Sequence, residues 1–311
     1  MAELIWIDDD HLQVGDTKFF LTLDWATADT TESTPDEFLL VKNSWLVETT
    51  LERLPERVDN MVECGIFKGG SVAMYEALFS PERFVALDRD KRGNALDEWL
   101  ERRSATDRVR PYYATDQNDR PALEMIAREN FKGEDRSLDL VIDDGAHRYE
   151  PCKNSLNVFL PLLRPGGVYI IEDWGWAHWP DAEFQEEAAS RQYADQNIPL
   201  TKLIFEVVML AASRPEIIQN VFIDSSRAFL TRGDEVIADE HFDISKAYMT
   251  SLWEMEFSAR TPYVPPAPPA PPDPRGLANS RFADLWRTLV PLSVRKRVPS
   301  SLASFAHRED E

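Results

Sequence analysis

Two acid pairs in this chain are placed where chemistry is done. Asp143 and Asp144 end an apolar run, Leu140 to Ile142, and are followed by Gly145 and His147. Glu172 and Asp173 end a second apolar run, Val168 to Ile171, after the turn Arg164-Pro165-Gly166-Gly167. Helical spacing of Leu156, Phe159, Leu160 and Leu163 lies between them, so the stretch reads as a βαβ crossover. Ligands of open α/β sheets bind outside the carboxyl ends of the strands, where both pairs fall. A histidine three residues from a carboxylate can act as general base, although His147 could also be structural. Singly, each acid would be read as a helix cap or a solvated strand end.

Three further positions extend the pattern. Glu63 lies on a strand two residues before Gly65, in a turn carrying Gly69, Gly70 and Ser71 ahead of a helix over 72–78. The glycines allow close backbone approach to a ligand, and the acid suits a cationic or amine-bearing one. The turn is not G-x-G-x-x-G. Asp88 ends the next strand, 84–88, where a carboxylate takes ribose hydroxyls. Asp116 and Gln117 follow a third strand over 109–114. Trp174, Trp176, His178 and Trp179 offer either a flat aromatic platform for a sugar face or a packed loop.

The elements that position these groups are a doubly wound, mostly parallel α/β sheet. Short strands over 1–23 predict a small β appendage, placed at 1–35 with 25–35 as a polar loop. Helices are expected over 36–54, 94–103, 121–129, 182–195, 200–212 and 244–256, and a closing hairpin over 221–231. The segment 263–274, YVPPAPPAPPDP, is a polyproline spacer. The organisation expected is therefore 1–35, a main domain over 36–260, a linker over 261–275 and a tail over 276–311.

A net charge of −21 excludes nucleic acid as the main partner, since phosphate binding needs a basic footprint. The tail differs: residues 276–308 hold six Arg or Lys against one Asp, and Phe282, Leu285, Trp286 and Leu289 have helical spacing. A basic amphipathic helix over 280–297 could dock on an anionic membrane surface, on a protein, or on its own domain. Two cysteines, Cys64 and Cys152, and no secretory signal suggest a reducing, cytoplasmic setting.

In order, Glu63-Cys-Gly, Asp88, Asp116-Gln117, Asp143-Asp144-Gly-Ala-His147 and Pro165-Gly-Gly with Ile-Glu172-Asp173 resemble class I S-adenosylmethionine-dependent methyltransferases. The resemblance narrows to metal-dependent sugar O-methyltransferases of the macrocin, mycinamicin and rhamnosyl type, some of whose relatives are called cephalosporin hydroxylases. It covers roughly residues 40–235 and implies a seven-stranded Rossmann-like sheet. Glu63, Gly65 and Ser71 would contact the methionine part of S-adenosylmethionine, Asp88 the ribose, and Asp116 with Gln117 the adenine, with Asp143 facing the cofactor. Asp144, Glu172 and Asp173 match the ligands of Mg²⁺ or another divalent cation, with Asp144 and His147 as the catalytic pair. The acceptor implied is a small-molecule glycoside, the assembly a homo-oligomer. Ala146 stands where many relatives have Ser, a change expected to alter a hydrogen bond behind the ligands and not the ligand set. Iron-dependent hydroxylation is disfavoured, because neither His147 nor His178 begins an H-x-D/E motif. Phenol or catechol methylation, and a non-catalytic scaffold, are the alternatives.

Overall fold

The computed structural model describes residues 2–91, 95–131, 136–179, 184, 198–238 and 241–249. Most of the helix expected over 182–195, the end of that over 244–256, the linker and the 280–297 helix lie outside the described residues. The described residues all belong to one compact unit.

The chain begins with a four-stranded sheet. Strands β1 (Leu4–Trp6), β2 (His11–Val14) and β3 (Thr17–Leu21) form an antiparallel meander, and β4 (Glu37–Leu40) joins β3 in parallel. Two expectations change here. The polar stretch 25–35 contains helix α1 (Trp25–Thr30), whose first turn is capped by the Asp24 carboxylate accepting from Thr27 N–H. The single helix expected over 36–54 is instead β4 followed by α2 (Ser44–Leu51), which starts at the Asn43 cap. Phe38, Leu39 and Leu40 are all buried, so consecutive residues need apolar surroundings on both sides, which a strand between two layers provides. The small sheet shares a core with the main domain, because Leu12, Phe19 and Phe38 pack with Val72 and Trp99.

The main sheet follows as β5 (Asn60–Cys64), α3 (Gly70–Phe79), β6 (Arg83–Leu87), α4 (Ala95–Arg102), β7 (Val109–Tyr112), α5 (Arg120–Phe131), β8 (Leu138–Asp143), α6 (Tyr149–Phe159), β9 (Leu163–Glu172), α7 (Thr201–Ser213), β10 (Ile218–Ile223) and β11 (Arg227–Arg232). Helix α8 (Ile244–Ala247) comes last. Strand order is β10-β11-β9-β8-β5-β6-β7, parallel from β9 to β7, with β11 and β10 as the antiparallel closing hairpin. The doubly wound α/β expectation is borne out.

Alternation along the strands builds the two faces. Val62, Val141 and Tyr169 enter one core with Leu123, Leu156 and Leu203 of the helices; Met61, Leu140 and Ile170 enter the other with Val72 and Leu96. Burial on both faces explains why these strands read as continuous apolar runs. Their carboxyl ends converge on one edge, where β8 and β9 deliver Asp144 and Glu172 beside Glu63 of β5.

Candidate active site

Glu63 is fully buried, and neither of its carboxyl oxygens has a hydrogen-bond partner. Burial pushes its pKa up to about 8; the nearby Ser71 hydroxyl, which falls outside hydrogen-bond geometry, pulls it back, the Asp144 carboxylate raises it, and the Lys42 charge lowers it. An orphaned buried acid fits a cationic group brought in by a ligand. The turn beyond it is built by close backbone contact: a Cβ on Gly65, whose φ is +106°, would lie 2.2 Å from the Asp144 carbonyl oxygen. Gly70 plays a different part from the one its place in the turn suggests. A Cβ there would meet the Leu39 carbonyl oxygen at 1.9 Å, so Gly70 brings α3 against β4.

Asp88 holds this turn. Its Oδ2 accepts from the N–H groups of Ile66 and Phe67 at 2.7 and 2.8 Å, and Oδ1 from Asp90 N–H at 2.7 Å. Asp116 is exposed at the neighbouring strand end, with Oδ1 accepting from Asn118 N–H. Gln117 turns inward instead. Its Nε2 donates to Asp143 Oδ1 (2.9 Å) and Ser155 Oγ (2.8 Å), while Oε1 accepts from Ala146 N–H (2.9 Å). Asp143 is buried with it, and also contacts the Cys152 thiol and the Tyr169 hydroxyl. The Gln117–Asp143 pair therefore braces the ends of β7 and β8 from within.

Asp144, His147 and Asp173 each present one donor atom within 4.8 Å of the others. Two of the three sit in left-handed backbone, His147 at φ 49° and Asp173 at φ 51°, a conformation uncommon outside glycine that histidine and aspartate adopt more readily than most residues. For His147, the Trp176 indole supplies one tie by donating to its carbonyl oxygen at 2.9 Å. For Asp173, Ser226 Oγ donates to Oδ1 at 2.8 Å. His147 Nε2 is 3.8 Å from Asp144 Oδ1. Burial would lower the imidazole pKa, but the carboxylates of Asp173, Asp144 and Asp143 outweigh it and raise it above its ordinary value. Oxygen donors with an imidazole at the rim suit a divalent cation.

Glu172 does not share that grouping. Its Oε2 lies 2.5 Å from Lys42 Nζ, which also reaches Asp144 Oδ2 at 3.1 Å. Lys42 and Glu172 are each 4% exposed. Burial disfavours the ammonium, yet Asp144 and Glu172 raise its pKa well above the usual value. Lys42 was absent from the residues singled out by sequence, because it fell within the expected 36–54 helix. The available signal was local: Lys42 is the sole basic residue of 36–48, directly before a helix-capping Asn.

The aromatic residues after β9 are tied into the fold. Trp174 packs against the core and donates to the Asp224 carbonyl at 3.0 Å. His178 Nε2 lies 2.6 Å from Thr201 Oγ1, and Trp179 donates to Ser225 O at 3.4 Å. Hydrogen bonding of this kind fits the packed-loop alternative.

Comparison with known proteins adds independent information. Residues 62–174 match a family described as a methyltransferase domain. The mycinamicin VI 2''-O-methyltransferase of Micromonospora griseorubida is 32% identical over 141 residues, 45% of this chain and 31% of that protein. The demethylmacrocin O-methyltransferase of Streptomyces fradiae is 35% identical over 113 residues, 36% of this chain and 25% of that one. The chain thus spans about a third or less of these relatives' length. Among solved structures, the MycE methyltransferase of mycinamycin biosynthesis, in complex with Mg, SAH and mycinamycin VI, aligns over 63% of this chain and 50% of its own at 23% identity and a TM-score of 0.43. The resemblance drawn from the motifs is borne out.

Proposed function

We propose that this chain, whose residues 62–174 match a methyltransferase domain, transfers a methyl group from S-adenosylmethionine to a hydroxyl of a glycosylated small molecule with the help of a divalent cation. The observation that carries the reading is the juxtaposition of the orphaned Glu63 carboxyl with the Asp144–His147–Asp173 group at adjacent strand ends. Glu63 would receive the ammonium of the methionine moiety, which restores its ionised form. Asp88 would exchange part of its hold on the Ile66–Phe67 turn for the ribose hydroxyls, and exposed Asp116 would serve the adenine. Sugar O-methylation is supported by the relatives acting on mycinamicin VI and demethylmacrocin.

A sugar hydroxyl is a poor nucleophile at neutral pH, and a bound cation supplies Lewis acidity that makes it more acidic and orients a diol. Asp144 and Asp173 would hold that cation, and Glu172 is the third carboxylate at hand. His147 takes the hydroxyl proton while the oxygen attacks the methyl carbon; the carbon–sulfur bond breaks, and neutral S-adenosylhomocysteine leaves with the sulfur lone pair. Aligning donor and acceptor contributes on the order of 7–11 kcal/mol in favourable cases.

The activity is assigned to the 36–260 segment together with the small sheet that shares its core, and the 280–297 helix is proposed as a docking element. No helix among the described residues is long and apolar enough to cross a membrane; the two free thiols agree with the cytoplasmic setting proposed. The test is methyl transfer to a panel of glycosides, their aglycones and catechols, with Mg²⁺ or with chelator. Transfer to glycosides alone, lost with chelator and in Asp144→Asn, supports the reading. Transfer confined to catechols would replace the sugar acceptor by a phenol.

A further inference from the structure

Lys42 lies on no motif of the site, yet its ammonium bridges two of the site's carboxylates. The ammonium is within hydrogen-bond distance of one oxygen each of Asp144 and Glu172, so the space between those two carboxylates already holds a cation. A divalent ion ligated by both would have to enter the same space and repel it. Asp144 divides its two oxygens: Oδ2 faces Lys42, and Oδ1 faces His147. Asp173 is directed by its left-handed backbone and by Ser226 to the His147 side. Charge closes on the same division, since three carboxylates balance one ammonium and one divalent ion.

We propose that Lys42 is a resident counter-cation that keeps Glu172 out of the ligand set, so that the divalent ion is held by Asp144 and Asp173, with Glu172 serving the lysine. This rests on the metal-assisted reading above and refines it. Lys42 is then a positioning residue: it fixes Asp144 Oδ2 and presents Oδ1 to the metal. Because Lys42 comes from the connection between β4 and α2, the small N-terminal sheet contributes directly to the geometry of the site.

The experiment is calorimetric titration of Mn²⁺ into the full chain saturated with S-adenosylhomocysteine, comparing wild type, Glu172→Gln and Asp173→Asn. It is paired with ¹⁵N-lysine NMR, in which Lys42→Arg identifies the Lys42 ammonium signal. The proposal expects Asp173→Asn to weaken Mn²⁺ about tenfold or more, Glu172→Gln far less, and the Lys42 signal to persist when Mg²⁺ saturates the site. Loss of Mn²⁺ affinity in Glu172→Gln equal to that in Asp173→Asn, or loss of the Lys42 signal on adding Mg²⁺, overturns it. So does absence of Mn²⁺ binding by a wild-type protein that binds S-adenosylhomocysteine. Failure to bind S-adenosylhomocysteine at all would instead strike the methyltransferase reading.

Discussion

Lys42 Nζ and Glu172 Oε2 lie 2.5 Å apart in the interior, joining the small N-terminal sheet to the end of β9. Removing one partner of such a buried pair leaves an uncompensated charge. Lys42→Met is expected to lose about 3–5 kcal/mol of stability, read from denaturant unfolding. The double variant Lys42→Met/Glu172→Gln should recover part of that loss. Additive losses in the double variant would mean the two side chains do not interact.

Glu63 sets a pH dependence in the ligand-free protein. Its folded pKa, about 8, lies above the carboxylate value of 4.5, so the folded state holds a proton that the unfolded state has released across that interval. Stability from this group is therefore fully present below pH 4.5, falls as pH rises towards 8, and is level beyond. Glu63→Gln lacks this effect. The stability of Glu63→Gln relative to wild type should grow between pH 5 and pH 8 by up to about 1.4 kcal/mol per unit. Equal pH profiles for the two proteins would contradict a protonated buried Glu63.

Gly65→Ala tests the close approach of the turn after β5 to the backbone at the end of β8. The added carbon would lie 2.2 Å from a backbone oxygen, in a backbone conformation that alanine resists. A loss of about 3 kcal/mol or more is expected in thermal or denaturant unfolding. A stability within 1 kcal/mol or so of wild type would mean that the turn shifts without resistance.

Ser226→Ala removes the donor to Asp173 Oδ1. Metal affinity should fall about tenfold while affinity for S-adenosylhomocysteine holds, both read by calorimetry. Parallel loss of both would place Ser226 in general folding, not in metal positioning.

His147→Ala addresses proton transfer. Turnover is expected to fall by about 10²–10⁴ with S-adenosylhomocysteine affinity kept. Unchanged turnover would assign the proton to water.

The sheet and the order of its acids were legible because the central strands are buried on both faces. Each is an apolar run that stops at a carboxylate, as at Ile142-Asp143 and Ile171-Glu172, a signal independent of tertiary contacts. The hairpin around Ser225-Ser226 was legible from its turn. Lys42 was not, because Phe38, Leu39, Val41, Trp45 and Leu46 match helical spacing as well as a short strand, and only pairing with β3 decides for β4. The family resemblance implies that Gln117 and Asp143 face the cofactor. Their mutual hydrogen bond depends on side-chain direction, which sequence order does not encode. The polar, threonine-rich composition of 25–35 reads as a loop, and the Asp24 carboxylate that caps α1 by accepting from Thr27 N–H is seen only in the folded chain.

The central claim is best tested by titrating S-adenosylhomocysteine into wild type and Glu63→Gln at pH 8, with circular dichroism to establish that both are folded. Micromolar binding by wild type and its loss in Glu63→Gln is the predicted result. A folded wild-type protein that does not bind, or a variant that binds equally well, would contradict a cofactor site built on Glu63.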